Sequence, residues 1–78
     1  MERTAKYLYK VELVTSSDVT EFVKAATAFP GRVYIVNGNR RLSAKSFLGV
    51  HFAKIAWNEI YIESEDDCYF DFRKFIVD

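Results

Sequence analysis

Seventy-eight residues, half of them hydrophobic and 17% aromatic, suffice for one hydrophobic core but not for two, and are too apolar for a disordered chain. Eleven Lys and Arg balance eleven Asp and Glu to a formal net charge of zero, which removes the general attraction to a phosphate backbone and argues against a nucleic-acid partner. With one cysteine, Cys68, and one histidine, His51, neither an internal disulfide nor a Cys/His zinc site can be assembled, so no metal or other cofactor is expected.

The start of the chain is charged where a signal peptide would need an apolar core, and nowhere do about 18 apolar residues run together, so no membrane association is expected and the cytoplasm is the expected location. Tyr7, Tyr9, Val11 and Leu13 alternate with Leu8, Lys10, Glu12 and Val14, the period of two of a strand with one face buried. Thr15-Ser16-Ser17-Asp18 then offers acceptors for free helix amides, and Asp18 with Glu21 has the spacing of a capping box. A first helix is expected from about Asp18 to Ala28, with Val19, Phe22, Val23 and Ala26 as its apolar stripe and Pro30-Gly31 as its stop.

Arg32-Val33-Tyr34-Ile35-Val36 reads as a second strand, and Asn37-Gly38 as a hairpin turn leading to a third strand near Asn39 to Leu42. Ser43 or Ser46 can cap a short second helix containing Phe47, Leu48, Val50, His51 and Ile55, weakened by Gly49. A fourth strand follows over Glu59 to Ser64. Glu65-Asp66-Asp67 places negative charge at the start of a third helix, in which Tyr69, Phe72, Phe75 and Ile76 fall at helical spacing. The order β-α-β-β-α-β-α has no crossover suited to a doubly wound sheet, so the expected architecture is α+β, a single domain with helices on one face of an antiparallel sheet.

Lys45-Ser46-Phe47-Leu48-Gly49-Val50, then Ala53-Lys54-Ile55-Ala56 and Asn58-Glu59-Ile60-Tyr61-Ile62, with the Val36-Asn37-Gly38 hairpin upstream, resembles the HPr family, the phosphocarriers of the bacterial sugar phosphotransferase system. The resemblance implies an open-faced sandwich whose four-stranded antiparallel sheet has the order 1-4-2-3, covered on one face by three helices. It also implies a partner among phosphotransferase-system enzymes, kinases or transcriptional regulators. In the family a His-x-Arg-Pro motif precedes the first helix, and its histidine carries the phosphoryl group. Here that region reads Leu13-Val14-Thr15-Ser16-Ser17-Asp18-Val19. The imidazole nucleophile is missing, and a hydroxyl without an activating base does not replace it, so no catalytic residue is assigned.

Ser46 aligns with the serine that an ATP-dependent kinase phosphorylates in many members, and as a plain helix cap it would need no further role. Phe47, Leu48 and His51 match the family's exposed docking patch; Phe47 and Leu48 would serve equally in a core. Thr15, Ser16 and Ser17 could hold an anion at the first helix's N-terminus, or simply cap it. The function expected is therefore a non-catalytic regulatory or adaptor protein. A phosphocarrier using an unconventional residue and a stand-alone structural domain are its rivals, and the oligomeric state is left open.

Overall fold

The computed structural model describes residues 7–77; residues 1–6, on which much of the signal-peptide reading rests, lie outside that range. β1 (Tyr7–Val11), β2 (Val33–Asn37), β3 (Arg40–Ser43) and β4 (Ile60–Ser64) form one antiparallel sheet in the order β1-β4-β2-β3, the order the resemblance implied. Ile62 of β4 stands opposite Tyr9 on one side and Ile35 on the other, which places it at the centre of the sheet. Val33, Ile35, Ile60 and Ile62 are buried, while Tyr34, Val36, Tyr61 and Glu63 between them are only half-buried. This alternation is what β-branched residues at every second position produce when one face is covered and the other is wet.

The covered face carries α1 (Ser16–Ala28), α2 (Phe47–Ala56) and the single turn α3 (Tyr69–Phe72), so the element order is that read from the sequence. α1 buries Val19, Phe22 and Ala26. It ends at Phe29, whose extended backbone is what a following proline favours, and the Lys45 ammonium donates to the Phe29 carbonyl at 3.0 Å, satisfying a helix-end acceptor. The buried polar residue Ser64 is likewise satisfied: its hydroxyl donates to the Arg32 carbonyl at 2.9 Å and accepts the Asp66 amide at 3.1 Å.

Three local expectations need correction. α1 begins at Ser16, two residues before the expected Asp18, because the capping box is formed by Thr15 and Asp18 and not by Asp18 and Glu21. In the hairpin, Asn37 pairs with Arg40, so Gly38 and Asn39 are the two turn residues. Only Gly38 has a positive φ, 62°, and glycine at the first turn position is the preference of a type II′ hairpin. Asn37 remains in the strand, and its side-chain amide donates to the Glu59 carbonyl at 2.7 Å.

The third correction concerns the C-terminal segment: the helix stops at Phe72, although the N–H groups of Phe75 and Ile76 bond back to the Phe72 carbonyl at 2.8 and 3.2 Å. Glu12 N–H donates to the Phe75 carbonyl at 2.9 Å, Val77 N–H donates to the Lys10 carbonyl at 2.8 Å, and Ile76 forms an antiparallel bridge with Val11. The outer edge of β1 presents backbone groups that need partners. The Phe75 carbonyl and the Val77 N–H supply them. Phe72 and Phe75 still reach the core, with ring centroids 5.1 and 5.4 Å from that of Phe22.

Candidate functional site

The residues singled out in the sequence fall at two places, the N-terminus of α2 and the N-terminus of α1. Ser46, not Ser43, caps α2: its backbone is extended, and its hydroxyl accepts the Gly49 N–H at 3.1 Å. Ser43 accepts the Lys45 N–H at 3.1 Å instead. Gly49 leaves room for this cap, since a Cβ there would lie 3.2 Å from the Ser46 hydroxyl oxygen. The glycine that weakens the helix by propensity thus accommodates its N-terminal serine. Ser46 is exposed and the first turn of α2 holds no acidic residue, so a phosphate added there would be the first negative charge at a helix end that favours one.

α2 is apolar on two sides. Val50 and Ala53 are buried against the sheet, whereas Leu48, Phe52 and Ile55, spaced i, i+4 and i+7, face outward with exposures of 79%, 56% and 72%. Phe47 is 47% exposed and stacks on His51, ring centroids 5.9 Å apart and planes 10° apart. Phe47 and Leu48 therefore lie at the surface and not in the core. His51 is half-buried beneath this stack. Phe52 and the outward role of Ile55 were missed from the sequence. Their signal was there as a second stripe of helical period, but a stripe does not say which of two faces will be covered.

At the other end, Thr15 caps α1. Its hydroxyl accepts the Asp18 N–H at 3.1 Å, and the Asp18 carboxylate accepts the backbone N–H of Thr15 at 3.1 Å and of Val14 at 2.9 Å. Those two amides, Thr15 first and then Val14, hold the Asp18 carboxyl below the usual carboxylate range. The amides of Val14 and Thr15 are thus already taken by a carboxylate of the chain itself, and its lowered basicity makes it a poor proton acceptor for the Thr15 hydroxyl. Thr15→Ala should cost about 0.5–2 kcal/mol, the usual worth of such a cap. Equivalent losses for Ser16→Ala and Ser17→Ala, measured by urea unfolding, would contradict this assignment.

Leu13 before α1 and Lys54 and Trp57 at the end of α2 line a common cleft of about 320 Å³ with Lys10 and Glu59. The chain leading into α1 therefore runs beside the C-terminal end of α2, and Ser46 lies at the opposite end of that ten-residue helix, about 15 Å away. Among the described residues no three or more His, Cys, Asp or Glu side chains are grouped to hold a metal ion, and no helix is long and apolar enough to cross a membrane. No family model matches the chain, and no curated protein and no solved structure matches it significantly.

Proposed function

We propose that this chain is a non-catalytic HPr-like regulatory or adaptor protein of the cytoplasm, which binds a protein partner through the outer face of α2 and is controlled by phosphorylation of Ser46. The observation that carries the reading is the juxtaposition on α2 of an exposed capping hydroxyl with Phe47, Leu48, Phe52 and Ile55, four large apolar side chains left in solvent. Apolar surface of this size beside a modifiable group is costly to leave bare and serves when a partner covers it. Phosphate on Ser46 would bring about −1.5 to −2 charges to the edge of that face, strengthening or weakening a complex according to the partner's charge while leaving the helix start intact. The sheet order and the Lys45-Ser46 to Gly49-Val50 motif support the family reading, and the region before α1, with Thr15 engaged as a cap, supports a role without phosphoryl relay.

The kinase of the HPr family with ATP should add one phosphate, located on Ser46 by mass spectrometry and abolished by Ser46→Ala. Incubation with phosphoenolpyruvate and the first enzyme of the phosphotransferase system should give no acid-labile phosphate. Labelling in the second experiment, or none on Ser46 in the first, would reject the corresponding half of the proposal.

A further inference from the structure

α3 and the strand beside it carry a second exposed surface whose chemistry differs from that of α2. The Tyr69 ring meets the Tyr9 ring edge-on at 5.6 Å and the Phe70 ring edge-on at 5.3 Å. Tyr9 donates its hydroxyl proton to Asp67 at 3.2 Å, and the same carboxylate oxygen accepts the Tyr69 N–H at 3.0 Å. Phe70 is 78% exposed, and Tyr7, two residues before Tyr9 on the same side of β1, is exposed as well. Asp67, held by Tyr9 and Tyr69, and Asp71, next to Phe70 in the chain, are both exposed. Of the nearby cations, Lys74 is taken by an ion pair with Glu21, and Arg73 follows Phe72 at the end of the turn.

An exposed phenyl ring beside two half-buried tyrosine rings, bordered by carboxylates, selects its occupant. A purely apolar partner would strip water from the carboxylates without replacing it, and a phosphate backbone or anionic lipid surface would be repelled. An arginine matches both components, because its planar guanidinium packs on an aromatic ring and donates to a carboxylate in one placement. The fold already contains that arrangement once: the Arg41 guanidinium carbon lies 3.9 Å from the centre of the Tyr34 ring while its Nε is 3.7 Å from the Glu63 carboxylate. On α3 the ring and the carboxylates are present at the surface.

We propose that the surface formed by Tyr9, Tyr69 and Phe70 with Asp67 and Asp71 docks an arginine-bearing basic segment of a protein partner. α1 packs against both α2 and α3, so this surface lies on a different helix from the face described above. The proposal does not depend on Ser46 or on membership of the HPr family.

The test titrates ¹⁵N-labelled protein with the peptide acetyl-Gly-Arg-Ala-Arg-Ala-Arg-Gly-amide, to about 1 mM at about 0.1 M salt, where surface attractions are already partly screened. Shift changes should centre on Tyr9 and residues 67–71. Affinity should fall about tenfold in the double variant Asp67→Asn/Asp71→Asn and several-fold in Phe70→Ala, and should be unchanged in the distant control Glu59→Gln. A peptide with glutamate in place of each arginine should not bind. Phe70 and Asp71 are exposed, and the Asp67→Asn side chain keeps a carbonyl oxygen as acceptor. These variants should therefore melt within about 4 °C of the parent, which separates lost binding from lost folding. Absence of binding, or shifts spread evenly over all carboxylates and weakened equally by Glu59→Gln, would overturn the proposal. So would a dimer in sedimentation equilibrium that dissociates in Phe70→Ala, since the occupant would then be a second copy of the chain.

Discussion

Replacement of Phe72 by alanine is expected to lower the unfolding free energy by about 3–5 kcal/mol, the range for a buried phenylalanine. Phe72 has no exposed surface, and its ring lies 5.1 Å from Phe22 and 6.3 Å from Phe29, centre to centre. α3 is one turn of four residues without a side-chain cap, far too short to be stable by itself. What holds it in place is the packing of Phe72, helped by the strand-like pairing of Phe75 to Val77 with β1. A domain of this size is stable by roughly 4–12 kcal/mol, so the substitution removes about a quarter or more of the total. Urea unfolding of Phe72→Ala beside Phe70→Ala provides the check. The exposed Phe70 should change stability by no more than about 0.5 kcal/mol, and a loss below about 1 kcal/mol at Phe72 would mean that α3 is not part of the core.

Alkaline pH should destabilise the fold through Cys68. Burial pushes this thiol up to about 11, and Asp67 and Asp71 push it in the same direction; in the unfolded chain it ionises near 8.5–9. The folded state therefore binds the proton more tightly. Its contribution is intact below about pH 9 and is lost as pH rises from there toward 11, because the unfolded state gains stability by releasing the proton first. Between pH 8 and pH 10.5 the parent should lose about 2 kcal/mol more than Cys68→Ala. Tyrosines and lysines that titrate in the same window act in both proteins, so most of the difference comes from the thiol. Parallel stability profiles for the two proteins would show that Cys68 is reached by solvent.

Much of this architecture was legible in the residues. Period-two alternation around Tyr7–Val11 and Ile60–Ser64, the Gly38 turn and the stop at Pro30 are local signals, and each acts within a few residues of where it is written. The apolar stripe Val19, Phe22, Ala26 is of the same kind, since a helix brings these positions to one side whatever it meets. Capping was legible to within a turn: the hydroxyl cluster before α1 announced a helix start, but three adjacent candidates compete for one set of amides, and only the backbone path decides that Thr15 wins.

Other features were settled by contacts between distant parts of the chain. Phe75 and Ile76 carry helical spacing and their N–H groups still bond back to the Phe72 carbonyl, but the helix goes no further because the open edge of β1, more than sixty residues earlier in the chain, takes the Phe75 carbonyl and the Val77 N–H. The outer face of α2 shows the same limit. Leu48, Phe52 and Ile55 form as regular a stripe as Val50 and Ala53, and hydrophobicity does not distinguish a face that meets the sheet from one left in water. The pairing of Tyr9 with Tyr69 and Asp67 joins the two ends of the chain across β1 and α3. By itself, then, the sequence determined the order and approximate positions of helices, strands and turns, because propensity, periodicity and capping are short-range. Which apolar faces are covered, and where the final segment docks, only the tertiary structure decided, because burial depends on what the rest of the fold brings opposite.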